Sequence, residues 1–199
     1  EYTRVTSFPG QTPSSGKYEV TYEGEFKNSI RHGLGVQESS GVEAENTYFS
    51  SFWSYFTKPK INSYLRAEGE WAKDKLNGQG KFYRKAIYWN EDSKDDIYEH
   101  SQEGTFKDHR LNGEGIQITN VITSKSINVA EYRGTWKDDT LLFGKKITTK
   151  GVYNGSFSEA PGRFIPNGKG EYLLSNGDKY IGSWIKGIKT GPFIIEYAN

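Results

Sequence analysis

Tyr22–Gly35 reads YEGEFKNSIRHGLG, and the rest of the chain is built on it. Tyr22, Gly24 and Phe26 alternate, and Gly33 and Gly35 follow at a fixed distance. The same offsets return at Gly69, Trp71, Gly78 and Gly80, and again at Gly104, Phe106, Gly113 and Gly115. Side chains two apart in a strand point to the same face. Tyr22, Gly24 and Phe26 therefore share an aromatic face, while Glu23, Glu25 and Lys27 share a charged one. That is the pattern of a half-buried strand. A glycine inside a strand costs stability, because it packs no side chain and loses the most backbone entropy. Its recurrence at one place argues that the gap is used, with a neighbouring ring lying over it. Asn28–His32 is polar enough to turn the chain, and Gly33 and Gly35 open the returning strand. Each unit is thus a β-hairpin. One hairpin is marginal in water, so the units must stack into a ribbon.

Six units are legible. Residues 1–21, polar and holding Pro9, Gly10, Pro13 and Gly16, read as an N-terminal arm, and 22–199 as the repeat array. An insertion at 39–66 separates the first unit from the second, Ala67–Phe82. A second insertion, at 84–101, precedes the third, Gln102–Gln117. Residues 118–130, ITNVITSKSINVA, read as strand, turn, strand: an elongated hairpin. The fourth unit carries Tyr132, Gly134 and Trp136, but Phe143 and Lys145 stand where its returning glycines belong. The fifth has Tyr153, Gly155 and Phe157, a longer turn, then Gly168 and Gly170. Asn176-Gly177 signals a turn into the sixth unit, with Tyr180, Gly182, Trp184 and Gly191, where Phe193 replaces the last glycine. The tail, FIIEYAN, reads as a closing strand that seals the ribbon, since terminal repeats cap. Tyr132, Trp136, Tyr153, Tyr180 and Trp184 are expected to form the ring core.

The first insertion contains NTYFSSFWSYFTKPK. Tyr48, Phe49, Phe52, Trp53, Tyr55 and Phe56 recur at spacings of one, three and four, which suits one face of a short helix ending before Pro59. Two readings stand: a segment folded back to complete the core, and a knob that docks a partner. In the second insertion Glu91, Asp92, Asp95 and Asp96 lack the ligand spacing and turn glycine of a calcium loop. They read as a solvated acidic loop.

Composition agrees with a ribbon. Of 199 residues, 34% are hydrophobic, 15% aromatic and 23 glycine, which predicts a thin core made of rings. A net charge of +1 lacks the basic bias expected for nucleic acid. No apolar run approaches the ~20 residues of a membrane-spanning helix. Without cysteine there are no disulfides and no thiolate metal sites. A chain without Met reads as a fragment or a processed form.

The pattern Y-x-G-x-[FW], with G-x-G seven residues after the aromatic, resembles the MORN repeat (membrane occupation and recognition nexus). YEGEFKNSIRHGLG follows the family unit closely, and NGKGEYLLSNGDKYIGSW carries its second arm and the crossing to the next unit. The resemblance spans most of Tyr22–Phe193 apart from the insertions, with Ala67 and Gln102 departing from the usual Tyr. It implies an all-β, elongated single-layer ribbon of about six stacked hairpins. It also implies a non-catalytic protein-interaction scaffold, a structural subunit of an intracellular cytoskeletal, ciliary or organellar assembly. Its partners would be other protein subunits or further copies of itself. An alternative is a peripheral membrane module binding anionic phospholipid through Lys58, Lys60 and Arg66, which flank the aromatic cluster. Another is the regulatory segment of an enzyme whose catalytic domain lies elsewhere.

No catalytic constellation stands out. Residues 162–169, GRFIPNGK, approach a phosphate loop but hold one residue too many, and Gly170 stands where Ser or Thr belongs. There is no G-x-S-x-G elbow and no H-E-x-x-H. His32 and His109 fall in repeat turns, and His100 beside an insertion, with no motif in common. No catalytic residue, metal or cofactor is assigned.

Overall fold

The computed structural model describes residues 2–6, 18–43, 61–88, 96–158 and 164–198. They form one sheet of thirteen antiparallel strands, laid side by side in chain order. The strands are β1 (Tyr2–Thr6), β2 (Tyr18–Lys27), β3 (Ile30–Glu43), β4 (Ile61–Ala72), β5 (Lys75–Tyr88), β6 (Asp96–Lys107) and β7 (Arg110–Ile122). They continue as β8 (Ile127–Lys137), β9 (Thr140–Thr148), β10 (Gly151–Phe157), β11 (Pro166–Leu174), β12 (Lys179–Ile185) and β13 (Ile188–Glu196). The sheet is open, with β1 and β13 as its edges. There is no helix among the described residues.

Five hairpins close through two-residue turns in which both residues have positive φ: Asn28-Ser29, Lys73-Asp74, Asp108-His109, Asp138-Asp139 and Lys186-Gly187. This is the primed turn geometry, whose twist matches that of the strands it joins. Asn and Asp tolerate the left-handed region because they can hydrogen-bond locally. The turn is therefore shorter than Asn28–His32: the returning strand already begins at Ile30.

A row of glycines crosses the sheet. Gly24, Gly35, Gly69, Gly80, Gly104, Gly115, Gly134, Gly144, Gly155, Gly170 and Gly182 face one another from β2 to β12. Neighbouring backbones come close along this row: a Cβ at Gly69 would lie 2.6 Å from Cα of Gly80, and one at Gly104 2.6 Å from Cα of Gly115. The fourth unit keeps the row by a change of register. From Gly24 to Phe26 the strand advances two residues while its partner runs from Gly35 to Arg31, a bulge repeated in the second and third units. In the fourth, Gly134 pairs with Gly144 and Trp136 with Leu141, so the returning arm is one residue shorter. Gly144 then fills the row that Phe143 and Lys145 seemed to interrupt.

The core lies on the face that carries the rings. Tyr22, Trp71, Phe106, Tyr132, Trp136, Tyr153, Phe157, Phe164 and Trp184 are buried there in one cluster. Tyr180, expected among them, is only partly buried, and the Lys189 ammonium sits 3.4 Å from the centre of its ring. The deepest aliphatic residues are Leu76, Leu111 and Leu141, with 1%, 0% and 0% of their surface exposed. Each stands opposite the strand aromatic of its own hairpin, Trp71, Phe106 or Trp136. Burying one leucine stabilises by roughly 1.5–3 kcal/mol.

A ring or a leucine covers several of these glycines, and the others face backbone. A Cβ at Gly24, Gly35, Gly155 or Gly170 would strike the ring of Tyr22 or Tyr153 in its own hairpin. At Gly80 and Gly115 it would instead meet Leu76 and Leu111. This explains how Ala67 and Gln102 replace the usual tyrosine in the second and third units. Both are buried, and Gln102 donates to Gln117 Oε1 and Asp139 Oδ1, each at 3.2 Å.

Both ends of each insertion, read from the sequence as 39–66 and 84–101, continue the strands instead of leaving the sheet. β3 and β4 stay paired out to Glu43 and Ile61, and β5 and β6 out to Tyr88 and Asp96. Ala86 and Tyr98 form a second small cluster there, with Val121 packed against it. The N-terminal arm contributes β1, paired with β2 from Tyr2↔Glu25 to Thr6↔Thr21. Residues 118–130 do form strand, turn and strand, with Thr123 and Ser126 closing the turn. Asn176-Gly177 likewise lies in the turn from β11 to β12, where Leu174 N–H donates to Asp178 O at 2.8 Å.

Candidate protein-interaction surface

The aromatic segment Tyr48, Phe49, Phe52, Trp53, Tyr55 and Phe56 lies outside the described residues, as do Lys58, Lys60, Glu91, Asp92 and Asp95. Asp96 begins β6. Among the described residues no His, Asp and Glu cluster is placed to hold a metal ion. The repeat residues lie where the hairpin reading puts them: Tyr22, Gly24 and Phe26 on β2, and Gly33 and Gly35 on β3. Gly33, Gly78, Gly113 and Gly168 have positive φ and belong to the bulges or strand ends beside the row, as does Gly191 in β13.

The face opposite the rings is polar over the first hairpins. Arg66 pairs with Glu68 at 2.8 Å and with Glu38, which also accepts from Tyr64 Oη at 3.0 Å. Hydrogen bonds from Arg66 and Tyr64 hold the Glu38 carboxyl below its usual range. Lys81 meets Glu103 and Lys85 meets Glu99, both at 3.3 Å. Exposed pairs of this kind contribute about 0–1 kcal/mol each, so they set strand register more than stability. Arg66 is thus already engaged by two carboxylates, which weakens its place in a phosphate-binding trio.

The last hairpin differs. Ile188, Ile194 and Tyr197 are 70%, 63% and 72% exposed, and Ile185 and Ile195 are exposed beside them. These five are nearly half of the eleven exposed large apolar side chains among the described residues, and the region holds only the final strand pair and its end. The tail therefore does not seal the ribbon with all its side chains. Phe193 alone turns inward: its ring covers Gly182 and meets Trp184 edge-on at 5.0 Å. The remaining side chains line an edge strand whose outer backbone groups have no neighbouring strand among the described residues.

Successive hairpins are latched by their turns. Asp74 N–H donates to Arg31 O at 3.2 Å, and Asp74 Oδ1 accepts from Arg31 N–H at 3.0 Å. Asp139 repeats this on Leu111, at 3.1 and 2.9 Å. His109 does the same on Leu76, with its Nδ1 as acceptor at 3.2 Å. In the first unit Arg31 replaces the buried leucine, its guanidinium lying 4.7 Å from the Trp71 ring centre and 5.5 Å from that of Tyr22. The leucines and latches escape the Tyr-Gly-aromatic reading. Their signal was in the sequence all the same: Leu76 and Leu111 fall five residues after Trp71 and Phe106, inside KDKLNGQG and DHRLNGEG.

With two-residue turns, a glycine row and ring packing in view, comparison with known families gives a single answer. The MORN repeat family model matches residues 22–40, 68–85, 103–118 and 165–179. These four segments are MORN repeats. The matched segments pass over the fourth unit, the one whose returning arm is a residue shorter. No curated protein matches the chain. MORN repeats are non-catalytic units that serve in protein and membrane interaction.

Proposed function

We propose that this MORN array is a non-catalytic scaffold, a structural subunit that joins protein partners within a larger cytoskeletal, ciliary or organellar assembly. The observation that carries the reading is the gathering of exposed apolar side chains at the β13 edge. Exposed apolar patches on soluble proteins mark contact sites, and an uncovered strand edge is a template for pairing with another chain. The large insertion that holds Tyr48–Phe56 supports a second contact region.

Affinity capture of the native protein under mild conditions, followed by mass spectrometry, tests the proposal. A stoichiometric set of protein partners, lost in an Ile194→Ser/Tyr197→Ser double variant, supports it. Capture of lipid without protein, with salt-sensitive sedimentation on anionic vesicles, supports the peripheral-membrane alternative and overturns the scaffold.

A further inference from the structure

Each inter-hairpin latch needs an acceptor for a main-chain N–H. At the β3–β4 seam the acceptor is the Asp74 carboxylate, and at the β7–β8 seam it is Asp139. At the β5–β6 seam it is an imidazole nitrogen, Nδ1 of His109, 3.2 Å from Leu76 N. That nitrogen accepts only while it carries no proton, because an imidazolium turns an N–H toward the N–H of Leu76. The ring is held in place edge-on against Trp71, 5.6 Å between centres.

A second histidine lies further along the same seam. His100 on β6 stands opposite Arg84 on β5, its ring packs against Phe82, and its Nδ1 is 3.5 Å from Thr119 Oγ1 on β7. The third histidine, His32, is exposed on β3. We propose that the β5–β6 seam is an acid-sensitive joint of the ribbon, held by the neutral rings of His109 and His100 where the neighbouring seams use carboxylates.

The surroundings oppose protonation of both rings. Burial comes first for each. Arg31 and Lys75 face His109 and repel a charged ring, while Asp108 and the Asp74 main chain favour one without prevailing. Lys75 is itself paired with Asp108 at 3.1 Å. Arg84 faces His100 from β5, opposed by a hydrogen bond that the His100 ring donates to the side chain of Gln102 on its own strand. His109 is held below the ordinary value of 6.5, and His100 is pushed down to about 4. A base whose folded value is depressed stabilises fully above its unfolded value, and that stability is lost as the pH falls through the folded one. The loss therefore begins near the ordinary histidine value and continues toward about 4. Asp74 is held below its usual range, first by its hydrogen bond from the Arg31 main chain, so the β3–β4 latch persists over the same interval.

The test is NMR on the full chain, following both ring titrations and the amide exchange of Leu76 and Arg31 from about pH 7.5 to about pH 4.5. The protection of Leu76 relative to Arg31 should fall roughly fivefold on acidification, the loss expected for one hydrogen bond. His109→Asn keeps a neutral acceptor and should remove that fall. The joint is overturned if Leu76 tracks Arg31 throughout in the wild type, if His109→Asn shows the same fall, or if the His109 ring titrates at or above its ordinary value. Should the variant fail to fold, the wild-type titration and the Leu76-to-Arg31 ratio decide alone.

Discussion

The middle hairpins and the last one share a repeat signature but use it in opposite ways. In the second, third and fourth units a leucine is buried opposite the strand aromatic, and in the second and third the next turn latches onto it. In the last hairpin Lys189 stands opposite Trp184 and reaches over Tyr180, Phe193 fills the place of the second glycine, and four neighbouring apolar residues are more than half exposed. The difference teaches that a repeat position is defined by what lies on its far side. Between two hairpins, the position five residues after the aromatic is roofed by the next unit, and in three units a buried leucine fills it. At the β13 edge no described strand covers the position, and a cation is tolerated because its head stays in water. The first unit, where Arg31 occupies the same position, is intermediate: its guanidinium is roofed by Trp71 and satisfied by Asp74 and Gln37.

Breaking the middle should cost the most. Trp136→Ala removes a fully buried ring whose indole donates to Gly115 O at 2.9 Å. It should destabilise by about 3–5 kcal/mol in chemical denaturation. Leu111→Ala should follow at about 2–5 kcal/mol, whereas Lys189→Ala, the edge counterpart, should fall within about 0.5 kcal/mol. That contrast is the sharpest test of the comparison, and equal losses would dissolve it.

The glycine row offers the next test. Gly134 has φ +150°, and a Cβ there would lie 2.7 Å from Cα of Gly144. Gly134→Ala should cost about 2–3 kcal/mol, from strain and forced strand separation. Gly191 has φ +78° but nothing within 4 Å of an added Cβ. Gly191→Ala should therefore cost only the backbone term, about 1 kcal/mol. Thermal unfolding of the two variants side by side measures the difference between a crowded interior glycine and an open edge one.

Smaller effects separate the latches. Burial lifts the Asp139 carboxyl above its usual range despite its hydrogen bonds from Leu111 and Gln102. An acid whose folded value is raised weakens the fold as the pH rises through that value. Asp139→Asn keeps an acceptor, suits the left-handed turn (φ 63°), and should raise stability at neutral pH by about 0.5 kcal/mol. Least of all, Ile194→Ser on the exposed edge should leave stability unchanged within about 0.5 kcal/mol. Its effect should appear in partner capture instead.

Sequence alone was enough to establish the ribbon. Alternation of Tyr22, Gly24 and Phe26 is a local property of strands, and its recurrence at Gly69–Trp71 and Gly104–Phe106 needs no knowledge of what touches what. Register, burial and pairing across hairpins are not local. Gly144 joins the glycine row only because the fourth bulge is one residue short, which no fixed offset reveals. Tyr180 keeps the repeat pattern yet stays partly exposed beneath Lys189, while Phe193, an apparent departure, is the ring that packs. His109 looked like any polar turn residue until Leu76 N–H was found pointing at its Nδ1. The sequence thus determined the periodic hairpin and the ring-bearing face, because both follow from the two-residue period of a strand. The tertiary structure decided which side chains are roofed, which turns latch and which edge stays open, because each depends on the neighbouring hairpin.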